Sequence, residues 1–152
     1  KNPKIDIKKS LSKINKNSLT YYQGQIDNVL ITILIGDARK TLPIAHEKGL
    51  ISNINCLYQD AFSPKKSPVL WSVEWFKLLK TLSHQNVIMS TYSSASAVKK
   101  SMVAAGWSIE KFPGFGQKKA ATKAKLSSIM SDEIKASLLR SPTLPLFDKD
   151  IE

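Results

Sequence analysis

The spacing of apolar residues changes along the chain, and each change marks a predicted element. In residues 1–17, Ile5, Leu11 and Ile14 fall near helical spacing among six lysines and one acid. That pattern predicts a lysine-coated amphipathic helix. The segment Leu19-Thr20-Tyr21-Tyr22 and the run of residues 29–35 predict two strands around the turn residues Gly24, Asp27 and Asn28. The second run is apolar on both faces, as a central strand covered on both sides would be. Gly36-Asp37-Ala38 ends it, and a short helix follows through Leu42 and Ala45 toward Lys48.

Residues 54–59 predict another strand, which stops at Asp60 before a proline-bracketed loop over residues 61–67. Ser67 as cap and Pro68 as first helical residue predict a helix burying Trp71, Trp75 or Phe76, Leu79 and Leu82. A strand over residues 87–92 comes next. Ser94 or Ser96 then caps a helix containing Val98, Met102 and Ala105, which Gly106 ends. Residues 107–112 predict a strand leading into Pro113-Gly114-Phe115-Gly116. Past Lys118 the pattern has no clear period until Ser131, which is placed to cap a helix reaching Arg140, and Pro142 and Pro145 break up the tail. Strands alternating with helical segments predict an α/β fold with a largely parallel sheet. Ligands of such sheets sit beyond the C-terminal strand ends. The segments 36–38, 60–62 and 92–94 are therefore the candidate site segments.

Composition narrows this picture. With 152 residues, 42% of them hydrophobic, the chain supports one cored domain and argues against wholesale disorder. No apolar run reaches the roughly 18 to 20 residues of a membrane span, and no signal-peptide core is present. The expectation is a soluble, cytoplasmic protein. Cys56 is the single cysteine, which rules out an intrachain disulfide framework and a thiolate-cluster zinc site. Its mid-strand position among apolar neighbours predicts a buried thiol. His46 and His84 stand alone, so no metal site is expected. Lys and Arg number 23 against 12 Asp and Glu, a net charge of +11 that suggests a polyanionic partner. The chain starts at Lys1 rather than Met, and is expected to be a piece of a longer polypeptide.

Each chemical candidate has a plainer alternative. Asp60 is placed either to accept hydrogen bonds from a cationic ligand or to cap a turn. Asp37, between a glycine and a helix, suits a cap. Phe62, Tyr92 and Phe115 sit at strand ends or loops, where they could stack on a base or face a sulfonium or ammonium charge. Core packing is the alternative. Trp71 and Trp75 belong to the core. Ser93 and Ser94 lie outside any nucleophile elbow, there is no P-loop, and Gly114-Phe115-Gly116 lacks a dinucleotide fingerprint. Lys118, Lys119, Lys123 and Lys125 beside that element could grip phosphates or form a solvated basic tail.

Asp60-Ala61-Phe62-Ser63-Pro64 through Pro68 to Leu70-Trp71 forms a D-A-F-S-P-x-x-x-P-x-L-W pattern, followed by Glu74-Trp75-Phe76. Together with Gly36-Asp37-Ala38, Thr91-Tyr92-Ser93, Ala97-Val98-Lys99, Ala105-Gly106-Trp107 and Pro113-Gly114-Phe115-Gly116-Gln117-Lys118, it resembles the methyltransferase domain of the bacterial tRNA 5-methylaminomethyl-2-thiouridine biosynthesis bifunctional family. The resemblance runs over residues 19–119. It implies a Rossmann-like class I fold that uses S-adenosyl-L-methionine to methylate the aminomethyl nitrogen of a modified wobble uridine in tRNA. It also implies Asp37 and Ala38 near the cofactor adenine, and Asp60 at the reacting centre, with Phe62 beside it. Tyr92, Phe115, Lys118 and Lys119 become the expected substrate contacts.

Two departures qualify the resemblance. Lys118-Lys119-Ala120-Ala121 replaces the family's Lys-Arg-Glu-Met-like continuation, which leaves the last strand unassigned. No glycine-rich E-x-G-x-G-x-G element precedes Gly36, and that element opens the cofactor site in this fold. In the family strand order 3-2-1-4-5-7-6, a chain starting near strand 3 would lack the middle of its sheet. The expected partition is a helical lead-in over residues 1–18, the C-terminal part of a methyltransferase domain over 19–126, and a helix with an irregular tail over 127–152. Such an incomplete sheet would pair with a missing N-terminal part or with another chain, and a fused or separate oxidoreductase domain is a possible companion. The alternative function is a catalytically inactive remnant serving as a basic RNA-binding or protein-interaction module.

Overall fold

Residues 10–16, 18–113 and 120–151 are described by the computed structural model. They divide into two compact units, Lys1–Ile51 and Ser52–Glu152.

The first unit is organised by a tight hairpin. Strand β2 (Leu19–Ile26) pairs antiparallel with β3 (Val29–Ile35), Ile26 opposite Val29, so that Asp27 and Asn28 form the two-residue connection. Asp27 takes φ 53°, the positive value such a turn demands and that Asp tolerates better than branched residues do. Strand β1 (Ser12–Lys16) pairs with the other edge of β2, giving a sheet of order β1-β2-β3. The backbone of Ser10 crosses so close to Gly24 that a Cβ there would collide with the Ser10 carbonyl oxygen, so only glycine fits. Helix α1 (Ala38–Glu47) follows Gly36, whose φ of +128° makes the strand-to-helix turn. Its Ala45 packs with Leu19 and Tyr21 to form the unit's core.

Two expectations fail here. Residues 12–16 are strand where the expected helix would continue, Ser10 is helical, and residues 1–9 and 17 lie outside the described residues. A neighbouring hairpin edge offers Ile14 a partner in Tyr21, and sheet pairing outweighs a periodicity of only a few apolar residues. The apolar run of β3 is not a central, doubly covered strand. It lies at the end of its sheet, with Val29, Leu30, Ile33 and Ile35 exposed and Leu34 packed inward.

The second unit is a four-stranded sheet of order β4-β5-β7-β6. Strand β4 (Ile54–Gln59) runs parallel to β5 (Ser83–Thr91), while β7 (Ala120–Lys125) runs antiparallel to both β5 and β6 (Ser108–Pro113). The sheet is therefore mixed and contains one parallel pair among the described strands, not the largely parallel sheet that element alternation predicts. The order nevertheless reproduces the 4-5-7-6 half of the Rossmann-like arrangement.

Strand β7 forms despite its departure from the family pattern because its residues alternate. Thr122 and Ala124 are buried on one face, while Lys123 and Lys125 lie on the other, Nζ 3.9 and 2.9 Å from Glu110 carboxylate oxygens. The same register places Leu57, Gln59, Met89 and Thr91 on the core face and Cys56, Tyr58 and Ile88 on the opposite one. Cys56 is consequently exposed rather than buried. A strand's alternation shows that two faces differ but not which face is covered.

The crossover from β4 to β5 passes through a 3-10 turn (Pro68–Trp71) and helix α2 (Val73–Leu82). The α-helix begins several residues later than its predicted cap. Ser72 Oγ accepts the Trp75 N–H at 3.1 Å, whereas Ser67 makes no side-chain cap bond. Helix α3 (Ser96–Ala104) starts at Ala95 without a side-chain cap, in place of the predicted Ser94 or Ser96. Trp71, Phe76, Val98, Met102 and Trp107 are fully or almost fully buried, and the Trp107 Nε1–H is satisfied by the Phe76 carbonyl at 3.0 Å.

Helix α4 (Asp132–Arg140), capped by Ser131 as predicted, leads into a tail tied back onto the helices. Leu146 accepts from the Val73 N–H at 2.8 Å and donates its own N–H to Ser101 Oγ at 2.8 Å.

Candidate active site

Asp60 stands at the C-terminal end of β4, one residue beyond Gln59, whose buried side chain donates to the Leu70 carbonyl at 2.7 Å. That bond ties the strand end to the start of the crossover. Two aromatic donors then fix the loop beyond it. Tyr92, just past the end of β5, donates its hydroxyl to the Ala61 carbonyl at 2.8 Å, and Trp71 Nε1–H donates to the Phe62 carbonyl at 2.7 Å. The two rings meet edge to face, centroids 5.9 Å apart. Farther along, the Ser63 carbonyl accepts from the N–H groups of both Lys66 and Ser67, which closes the turn.

Pinning the loop by its carbonyls leaves its side chains free to project. Together they line a cavity of about 720 Å³ that includes Asp60, Phe62, Lys66, Leu70 and Tyr92. Phe62 is 76% exposed, so it is not a core residue despite its size. Asp60 is also exposed, and among the described residues its carboxylate makes no hydrogen bond or ion pair. A carboxylate beside aromatic side chains suits a ligand carrying positive charge, such as an amine or a sulfonium. Beneath it, Thr122 Oγ1 donates to the Ser93 carbonyl and Thr91 Oγ1 accepts the Ser93 N–H, anchoring the β5 end to β7.

The structure thus brings together Asp60, Phe62 and Tyr92 of the predicted site residues. It adds Lys66, which sequence reasoning passed over. The proline bracket around that loop was the available signal, because it marked a rigid turn that had to present its side chains somewhere.

Asp37 and Ala38 belong to the first unit. Asp37 caps α1: Oδ1 accepts the Arg39 N–H at 3.0 Å, and the Arg39 guanidinium reaches both carboxylate oxygens, at 3.2 and 2.8 Å. The guanidinium hydrogen bond chiefly lowers the Asp37 pKa from its ordinary value. Phe115, Lys118 and Lys119 lie outside the described residues. Among the described residues no three His, Cys, Asp or Glu side chains gather into a metal-binding group, and no helix is long and apolar enough to cross a membrane.

Comparison with known proteins bears on what this arrangement does. Residues 5–127 match the model of a family described as S-adenosyl-L-methionine-dependent methyltransferase. The tRNA 5-methylaminomethyl-2-thiouridine biosynthesis bifunctional protein MnmC of Pseudomonas putida is 31% identical over 126 residues, which are 83% of this chain and 18% of that protein. Its counterpart in Burkholderia vietnamiensis is 37% identical over 90 residues, 59% of this chain and 13% of that protein. The chain therefore spans less than a fifth of the length of these relatives. The crystal structure of MNMC2 from Aquifex aeolicus superposes with a TM-score of 0.69 at 26% identity, covering 84% of this chain and 42% of that one. With a family model spanning most of its residues and a matching solved fold, the chain belongs to the S-adenosyl-L-methionine-dependent methyltransferase family.

Proposed function

We propose that this chain forms the substrate-presenting part of an enzyme that methylates the aminomethyl nitrogen of a modified wobble uridine in tRNA. The observation that carries this reading is the unpartnered Asp60 carboxylate in an aromatic cavity at a strand end. The names of the relatives and the net charge of +11 support a tRNA substrate.

The residues at the cavity suit S-adenosyl-L-methionine in chemical type, since a carboxylate and two aromatic faces favour a cationic ligand. When bound, the cofactor supplies a methyl group activated by a sulfonium. Asp60 accepts an N–H of the substrate amine, aligns its lone pair, and takes up the proton that must leave, directly or through water. Phe62 covers the reacting nitrogen and excludes water. Tyr92, whose hydroxyl is engaged by the Ala61 carbonyl, offers the nucleobase its ring rather than a hydrogen bond. Asp37 and Ala38 are assigned to the adenine on the strength of the Gly-Asp element they share with the family. Phe115, Lys118 and Lys119 are assigned to the tRNA, and an oxidoreductase domain, fused or separate, completes the working enzyme.

The test is transfer of labelled methyl groups to undermodified tRNA by the full-length protein and its Asp60→Ala variant. Loss of incorporation in the variant is expected. Equal incorporation by both would remove Asp60 from the mechanism, and absence of transfer by the unaltered protein would favour an inactive basic module.

A further inference from the structure

Ion pairs form at several places on this molecule. Lys111 lies 2.7 Å from Glu133, Lys135 2.8 Å from Asp132, and Lys125 2.9 Å from Glu110. The Asp60 cavity brings two opposite charges into one space. Asp60 and Lys66 line the same 720 Å³ space, yet among the described residues neither enters an ion pair. The backbone between them is anchored. The Ala61 and Phe62 carbonyls are pinned by Tyr92 and Trp71, and the Lys66 N–H is bonded to the Ser63 carbonyl at 2.8 Å. One loop with an anchored backbone therefore presents two exposed side chains of opposite charge, Asp60 and Lys66, to one cavity.

We infer that Lys66 binds an oxyanion of the ligand whose cationic end meets Asp60, so that the cavity selects ligands bearing both charges. The identity of that ligand rests on the function proposed above. A lysine ammonium is a compact point charge suited to a phosphate or carboxylate. Two sources supply such an oxyanion: a phosphodiester flanking the aminomethyl nucleotide, or the amino-acid carboxylate of the cofactor. In either case Lys66 contributes binding and register and makes no bond to the reacting atoms.

The experiment uses the full-length protein with Lys66→Met, Lys66→Arg and, as a control on the same loop, Lys65→Met. Two affinities are measured: for an anticodon stem-loop RNA carrying the aminomethyl uridine, across a salt series, and for S-adenosylhomocysteine by calorimetry. If the oxyanion is a phosphate, Lys66→Met weakens RNA binding by about ten-fold and lowers the salt slope by about one, leaving the cofactor product unaffected. If it is the carboxylate, the loss of about ten-fold falls on S-adenosylhomocysteine instead. Lys66→Arg restores most of either loss. The inference is overturned if Lys66→Met changes both affinities no more than Lys65→Met does. Because binding is read apart from methyl transfer, a failure of Lys66 is distinguishable from a failure of Asp60 and of the reaction itself.

Discussion

Asp37 and Asp60 each stand just past a β-strand that ends in a turn, one in each unit, yet their carboxylates have opposite fates. Behind Asp37 the helix starts at once, so the Arg39 N–H is presented to its side chain and the Arg39 guanidinium folds over it. Behind Asp60 comes a proline-containing loop, with no α-helix until Val73. No helical N–H is available to it, and the loop's carbonyls are held by Trp71 and Tyr92. The element immediately after the strand decides whether the acid caps a helix or is left without a backbone donor.

The sharpest way to break this contrast is to remove each carboxylate in turn. Asp60→Asn is expected to slow methyl transfer by about 10²–10⁴-fold, the usual range for losing a proton acceptor, with a urea unfolding midpoint near that of the unaltered protein. A large stability loss with little change in rate would place Asp60 with Asp37 as a structural residue. Next in size is the loop clamp. Trp71→Phe removes the donor to the Phe62 carbonyl and opens a space in the core, with an expected loss of about 1–3 kcal/mol in stability and a clear fall in kcat. Tyr92→Phe deletes only a hydroxyl and should cost about 1 kcal/mol, with a milder fall in rate. Rates unchanged in both would show that the loop needs no clamp.

Asp37→Ala removes an N-cap and should cost about 1 kcal/mol of stability, read from denaturant unfolding. The smallest effect is its pH dependence. The folded-state pKa of Asp37 is depressed, so its contribution is present above the ordinary value of 3.8 and is lost as the pH falls through the lower folded value. Because the pair is part-exposed and screened, the effect is slight. Stability measured against pH should lose a little less in acid for Asp37→Ala than for the unaltered chain. An identical acid limb in both would show that the Arg39 contact contributes nothing.

Local grammar carried much of the fold. The hairpin turn at Asp27 and Asn28, the Gly36 turn, the Ser131 cap and the Gly106 helix end all occupy the places their residue types suggest. The D-A-F-S-P pattern located the candidate site, because the loop it encodes is rigid and tied to a strand end. Coverage and partnership were not legible in the same way. The apolar run of β3 reads as doubly buried but lies exposed at a sheet end, Cys56 faces outward, and residues 12–16 pair as a strand where spacing suggested a helix. None of these can be read from a segment alone, since each depends on which distant strand lies beside it.

Residue patterns alone located the strands ending at Ile35 and Gln59, placed Asp60 just past the second, and put Trp71 in the core. These outcomes come from residue-specific backbone preferences and side-chain polarity, which act over a few positions. Tertiary packing was needed to show that Tyr92 and Trp71 hold the Ala61 and Phe62 carbonyls, that Lys66 shares a cavity with Asp60, and that residues 120–125 supply the strand between β5 and β6. The reason is physical. Hydrogen bonds between residues far apart in the chain, and the cavities they frame, arise from packing, and packing has no signature in local spacing.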